Sequence, residues 1–354
     1  MEAKKSHIQL PTSLKSLPKD YAGYVVISDI DKTYLATQID SIGGLLKTAF
    51  ETAEAKDNIP GFSILLRALR RGAGADAQQN PIYFVSASPP QMRATLMAKM
   101  ELDGVEHDGI VFKDQLQHVR RRNFKKLKEQ IGYKLEALLL LWLSLPHTSK
   151  LILFGDDSES DPAIYSLFCD VLGGVVRGPA LRTLLLSLGV FTEENDKIIA
   201  LSERVKDVSF PVEFAFINLV TGSQPAYYSR FGPHFFATEN SLQVALTLFE
   251  KNLIRERAVR SVGRDLALYY DFSPQRLLES LRLGAQRGLY GYDTLRKLWM
   301  MLAQARVLPE PHPSDLEEHG VGEMTRLSRQ RWVEEVSRGD LKSLKLRYSE
   351  EGRY

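Results

Sequence analysis

The sequence holds one cysteine, Cys169, among 354 residues, which excludes an internal disulfide and fits a reducing compartment. Charge of one sign is also missing. Lys plus Arg total 46 against 44 acids, so no global field argues for nucleic acid or a membrane, and a basic site must be local. The seven histidines are scattered without metal-ligand spacing, which argues against zinc. No Gly-x-x-x-x-Gly-Lys-Ser/Thr loop occurs, so a P-loop kinase is excluded. The greasiest stretch, Leu135 to Leu145, contains Glu136 and stops at Pro146, well short of the roughly 20 apolar residues that a membrane-spanning helix needs. It reads as a buried core helix. Met1 to Lys19 carries charges and proline but no apolar core of a secretory signal, and the expected location is cytoplasmic, with peripheral attachment to a membrane allowed. Repeats and low-complexity segments are lacking too.

What is present reads as alternating strands and helices. Four short apolar runs, Tyr24 to Ile27, Ile82 to Val85, Leu151 to Phe154 and the weaker Gly174 to Val176, have the look of buried strands, and Gly109 to Phe112 is a fainter fifth. Helical patterns at Leu45 to Ala55, Phe62 to Arg70, Gln91 to Leu102 and Phe124 to Leu145 separate them. This alternation implies an α/β fold with a parallel sheet covered by helices on both faces. After about residue 190 the character becomes mostly α-helical. Ser241 to Ile254 places Leu242, Leu246, Phe249 and Leu253 on one face, Ser273-Pro274 is a helix start, and a further helix opens at Asp293. Between them, Phe210 to Phe236 is rich in aromatics, glycine and proline and suits a short hairpin or an irregular connection. The expected organisation is a leader over 1–20, an α/β domain over 21–190, a mostly helical domain over 191–337 and a charged tail over 338–354.

Chemistry gathers where the apolar runs end. Asp29 and Asp31 follow the first run two residues apart, so in extended chain both face beyond the strand tip, where ligands of open α/β sheets bind. One carboxylate can serve as nucleophile and the next as general acid and base, a pairing suited to phosphate-ester hydrolysis. Thr33 can fix the loop through its hydroxyl. Ser86 and Ala87 stand where the second run gives way to a helix, well placed for a phosphoryl oxygen. Lys134 supplies a positive charge, and the third run ends in the acidic loop Gly155-Asp156-Asp157-Ser158-Glu159-Ser160-Asp161, whose oxygens suit Mg²⁺.

The ordered set Asp-x-Asp-x-Thr, Ser, Lys and acidic loop resembles the haloacid dehalogenase-like (HAD) phosphatase superfamily. More narrowly, residues 21 to 178 are similar to the catalytic domain of the actin-patch-associated phosphatidate phosphatases. That similarity rests on Val26 to Asp31, the spacer Leu46 to Phe50 leading to Pro60-Gly61, Tyr83 to Pro89, and Leu153 to Asp156 with Asp161 to Tyr165. The resemblance implies a Rossmann-like fold with a minimal cap, Mg²⁺ dependence and removal of phosphate from phosphatidate through a phospho-aspartyl intermediate. By the same resemblance Asp29 is nucleophile and metal ligand, Asp31 is acid/base and gives its backbone carbonyl to the metal, Ser86 and Lys134 hold the phosphoryl group, and Asp156 binds metal; Thr33 and Ala87 are expected beside them in the phosphate-binding set. Either Asp161 or Asp157 is the second acid of the loop. Lys32, Pro90 and Asp157-Ser158-Glu159 depart from the family pattern and border the pocket, so they bear on the substrate more than on the reaction.

Six Lys or Arg fall between Arg120 and Lys128 (Arg120, Arg121, Arg122, Lys125, Lys126, Lys128), before any acid. This run is expected to attract a phosphorylated substrate or an anionic membrane surface. The competing readings are a phosphatase of a soluble ester and a phosphate-binding scaffold that recruits partners through its helical region.

Overall fold

The computed structural model describes residues 8, 10, 17–36, 57–74, 79–88, 90–112, 126–205, 210–312 and 347–348. The helix expected at Leu45 to Ala55 and nearly all of the charged tail lie outside the described residues. So does the basic run from Arg120 to Lys128, apart from the helical backbone that begins at Lys126.

Six strands form one all-parallel sheet: β1 Tyr24–Ser28, β2 Ile82–Ser86, β3 Gly109–Phe112, β4 Lys150–Asp156, β5 Val212–Asn218 and β6 Phe235–Thr238. Their spatial order is β3-β2-β1-β4-β5-β6. The chain therefore builds outward from β1 in one direction, then returns past β1 and builds outward in the other. A cleft opens between β1 and β4, where the connections diverge, and that is where ligands sit in doubly wound sheets.

Side chains alternate across the sheet, and each face has its own core. Val25, Ile27, Tyr83, Val85, Leu151 and Leu153 pack on one side. There they meet α3 Lys126–Ser144, α4 Asp161–Leu172, α5 Gly178–Ser187 and α6 Thr192–Ser202. The leucine-rich stretch is the buried face of α3, with Leu135, Leu138, Leu139, Leu141 and Trp142 all closed off from water. The opposite side carries Val26, Ile82, Phe84, Ile152, Phe154, Phe214 and Phe216. It is covered by α1 Phe62–Arg71, α2 Arg93–Leu102, α7 Ser241–Glu250, α8 Glu256–Tyr269, α9 Pro274–Gln286 and α10 Tyr292–Gln304. Among the described residues no helix is long and apolar enough to cross a membrane.

Two sequence expectations are corrected here. Gly174 to Val176 is not a strand. Gly174 adopts φ +71°, a conformation that suits glycine, and the Val175 amide turns back to the Asp170 carbonyl, so the segment closes the end of α4. Phe210 to Phe236 is not a hairpin either, because it supplies the parallel strands β5 and β6, joined by a 3₁₀ segment, Pro225–Phe231. The change in sequence character near residue 190 thus does not coincide with the end of the sheet, which continues to Thr238.

The helices after β6 start as their sequences dictate. Asn240 caps α7 by accepting from the amides of Leu242 and Gln243, both at 3.1 Å. Ser273 caps α9 by accepting from the Arg276 amide at 3.2 Å, with Pro274 in the first turn. The buried residues of α10, Leu295, Leu298, Trp299 and Leu302, are those the periodicity selects. α7 ends at Glu250, earlier than the apolar pattern suggests, since Leu253 closes the turn by donating to the Leu248 carbonyl.

Candidate active site

The candidate site lies at the carboxyl ends of β1 and β4. Asp29 follows β1 directly, and its amide donates to the Phe154 carbonyl of β4 at 2.9 Å, which fixes the two strand tips side by side. Lys134 reaches the same point from α3. Its Nζ lies 3.0 Å from Asp29 Oδ1, 2.5 Å from Asp161 Oδ1 and 2.8 Å from Glu159 Oε2. The lysine is only 1% exposed, so these contacts form away from solvent screening. The residue before it is anchored as well: the Tyr133 hydroxyl donates to the carbonyls of Ser86 and Val111, each at 3.0 Å. That contact pins α3 to the tips of β2 and β3 and sets the height of Lys134 above the sheet.

Asp156 ends β4. Its Oδ1 accepts from the Ser158 amide at 2.6 Å, the Glu159 amide at 3.3 Å and the Ser158 hydroxyl, so the loop wraps one of its oxygens. Its Oδ2 and both oxygens of Asp29 are buried without a hydrogen bond. Asp29, Asp156, Glu159 and Asp161 each offer an oxygen within 4.8 Å of the others. If all four ionised, Lys134 would leave a net charge of −3 (+1 − 4) in a buried space, a condition that demands protons or a cation.

The carboxyl groups respond accordingly. Burial pushes Asp29 well above the usual carboxylate range; Lys134 opposes this, while Asp161, Glu159 and Asp31 reinforce it. Asp156 is pushed up to about 8 by burial, then by the charges of Asp161 and Glu159. Asp161 is raised by burial against the pull of Lys134. Burial alone would lower Lys134, but its three carboxylate partners outweigh that and hold the ammonium charged. Burial thus disfavours the ionised form of Asp29, Asp156 and Asp161. The donor set, four carboxylates of which Asp29 Oδ2 and Asp156 Oδ2 are buried with neither a hydrogen bond nor an ion pair, suits a hard divalent ion such as Mg²⁺.

The remaining expected residues fall around this group. Asp31 is held by the Ser88 hydroxyl, which donates to its Oδ2 at 2.8 Å, so it stands between the β1 and β2 tips. Lys32 takes a left-handed φ of +56°, and its carbonyl accepts from Asn218 Nδ2 at 3.1 Å, which ties the loop after β1 to the end of β5. Ser86 is fully buried, and its hydroxyl accepts from the Ser88 amide at 3.1 Å. Ala87 follows it at the rim. Thr33 is buried with its hydroxyl unbonded, and it borders a cavity of about 20 Å³, enough for about one water, shared with Phe62, Gly155, Asn218 and Asn240.

Asp157 is elsewhere. Its carboxylate accepts from the amides of Val220 at 2.7 Å and Thr221 at 3.0 Å, from the Thr221 hydroxyl at 2.6 Å and from the Ser223 hydroxyl. It latches the chain after β5, and it is not among the clustered acids. The reason is the bend that follows β4: the Asp157 amide donates to the Asn218 carbonyl at 3.1 Å, which turns the residue toward the end of β5. Asp161 lies in the cluster instead. It can do so because Gly155 has no side chain, since a Cβ there would come 2.6 Å from both Asp161 Cβ and Oδ2. Glu159 belongs to the group although sequence reasoning gave it no role. Its signal was its place three residues beyond Asp156 on the same loop, but its reach to Lys134 needed the fold.

Residues 24–183 match the family described as phosphatidate phosphatase APP1, catalytic domain. No curated protein and no solved structure matched the chain. The match begins at β1 and runs through α4 into α5, so it takes in Asp29, Ser86, Lys134 and the acidic loop. Residues 24–183 are thus similar to the phosphatidate phosphatase APP1 catalytic domain, over somewhat less than half of the chain, and the match supports a phosphatase.

Proposed function

We propose that the protein is a Mg²⁺-dependent phosphomonoesterase that works through a phospho-aspartyl intermediate on Asp29, with phosphatidate or a related lipid phosphate as substrate. One observation carries the reading: Asp29, Lys134, Asp156, Glu159 and Asp161, drawn from three parts of the chain, meet at the switch between β1 and β4. The lipid substrate is supported by the family that residues 24–183 match.

In the first step Asp29 forms a bond to phosphorus while the ester oxygen–phosphorus bond breaks. Asp31, steadied by Ser88, passes a proton to the departing alkoxide, which leaves as the alcohol. In the second, water attacks the phosphoryl group, Asp31 takes its proton, and Asp29 is released with inorganic phosphate. Lys134 holds Asp29 in place and offers charge to the phosphoryl oxygens, together with Ser86, Ala87 and Thr33 at the rim. Asp29, Asp156, Asp161 and Glu159 would hold Mg²⁺, which when bound offsets the negative charge of the acids and the phosphoryl group. Water is restricted because Asp29, Lys134, Asp156 and Asp161 are all buried.

The test is phosphate release from p-nitrophenyl phosphate and from phosphatidate in mixed micelles, with Mg²⁺ or EDTA. Asp29→Asn is expected to lose more than about 10³-fold in kcat on both. Undiminished turnover by that variant refutes the mechanism. Faster hydrolysis of a soluble ester than of phosphatidate refutes the lipid assignment and leaves the mechanism standing.

A further inference from the structure

Large apolar side chains are exposed at several isolated points, but among the described residues three stand in a row only at the end of α8. Leu268 is 59% exposed, Tyr269 77%, and Tyr270 closes the row. They continue a stripe of exposed arginines on the same helix. Arg257, Arg260 and Arg264 lead to Leu268 by steps of three, four and four residues, a spacing that keeps all four on one face. The opposite face of α8, with Val259, Val262 and Leu266, is buried against the sheet's second core. Among the described residues the outer stripe is exposed and uncovered, and it joins positive charge to an apolar, aromatic tip.

Its place in the molecule matters. The Gly61 amide, just before α1, donates to Asp265 on α8 at 2.8 Å. Phe62, the first residue of α1, packs edge-on against Phe154 of β4 with ring centres 5.2 Å apart and borders the same cavity as Thr33 and Gly155. At the other end of α8, the Arg255 guanidinium donates to the carbonyls of Ala73 and Gly74, beyond the far end of α1. The helix therefore runs toward the side of the sheet that carries the acids, and its tip lies on that side.

We infer that the outer stripe of α8 docks on an anionic lipid bilayer, with Leu268, Tyr269 and Tyr270 entering the interface and Arg257, Arg260 and Arg264 meeting acidic headgroups. Tyrosines set their rings at headgroup depth, and arginines lay their stems on the apolar boundary with the charge in water. Charge complementarity selects the occupant, since the stripe carries three arginines and no acid; Glu256 and Asp271 stand at its ends, and Asp265, Asp57 and Asp103 lie near Tyr270 rather than along the arginines. The purpose of the docking rests on the lipid-phosphate reading above, but its measurement does not.

The full chain is mixed with vesicles of phosphatidylcholine alone or of phosphatidylcholine with phosphatidylserine, and bound protein is measured by flotation. Phosphatidylserine is anionic but is not a phosphomonoester, so binding is read apart from turnover. Wild type is expected to float with the anionic vesicles only, and increasingly so as salt is lowered. The double variant Arg260→Glu/Arg264→Glu is expected to lose about thirtyfold or more in vesicle affinity, roughly one and a half decades for two arginines, and Leu268→Ser/Tyr269→Ser about tenfold or more. Both should hydrolyse p-nitrophenyl phosphate at the wild-type rate, which also shows that they fold, while their KM on phosphatidate vesicles rises. Equal flotation of wild type and both variants overturns the inference, as does the absence of wild-type flotation together with capture of a protein through this face. If phosphatidate is not hydrolysed yet flotation depends on the stripe, the docking stands and the substrate reading fails.

Discussion

Asp156 gives the sharpest test of the claim that the acidic cluster awaits a cation. Its carboxyl is raised from an ordinary 3.8 to about 8 by burial and by the charges of Asp161 and Glu159. The folded protein therefore holds a proton that the unfolded chain releases. A raised acid contributes stability in full below its unfolded value, and that contribution drains away as pH climbs through the folded value. For cation-free protein the loss runs from about pH 4 to about pH 8. A shift of roughly 4 units at 1.36 kcal/mol each bounds it at about 5 kcal/mol, a large share of the net stability of a domain. A divalent cation replaces the proton, so Mg²⁺ should flatten the curve, and its stabilising effect should grow with pH. The assay is a denaturant or thermal unfolding series at fixed ionic strength across that range, in EDTA and in Mg²⁺. Asp156→Asn carries a permanently neutral group of nearly the same shape. It is expected to be more stable than wild type in EDTA at pH 8, to lose most of the pH slope, and to gain little from Mg²⁺. A cation-free wild type whose stability stays flat or rises over this range refutes the reasoning, as does an Asn variant that Mg²⁺ stabilises as strongly as wild type.

Three further outcomes follow from the same geometry. Lys134→Met leaves Asp29, Glu159 and Asp161 without their shared cation and should cost about 3–5 kcal/mol at neutral pH by chemical denaturation, less under acid conditions where the carboxyls protonate. Asp157→Asn should lower stability by about 1–3 kcal/mol through the latch to Thr221 and Ser223 while leaving the Mg²⁺ midpoint of activity in place, whereas Asp161→Asn should move that midpoint upward; titrations of phosphatase activity with Mg²⁺ separate the two. Gly155→Ala must displace Asp161, so it should abolish Mg²⁺-dependent turnover and cost about 1–3 kcal/mol of stability, read by thermal unfolding beside the activity assay.

Much of the α/β core was legible because buried parallel strands are short apolar runs and their tips carry the polar residues. Tyr24 to Ser28, Ile82 to Ser86 and Lys150 to Asp156 declare themselves in this way, and so do the residues that end them. β5 and β6 were obscured because Glu213 breaks the apolar run of Val212 to Ile217 and because a 3₁₀ segment, rather than a helix of ordinary length, joins the two. Gly174 to Val176 misled for the converse reason. Val176 is buried, but it is buried as the turn after a helix, and apolar character alone does not separate the two cases.

The sequence by itself determined which residue types stand at which strand tips, because hydrophobic runs fix where a strand lies and the polar residue that follows it must emerge at the end. Only the tertiary structure decided which tips are neighbours. The order β3-β2-β1-β4 sets Asp29 beside Asp156, the bend after β4 turns Asp157 toward Thr221 and Ser223, and α3 brings Lys134 within reach of Glu159. Those choices depend on contacts between residues more than 20 positions apart, set by how helices pack on a twisted sheet, and local sequence pattern carries no record of them.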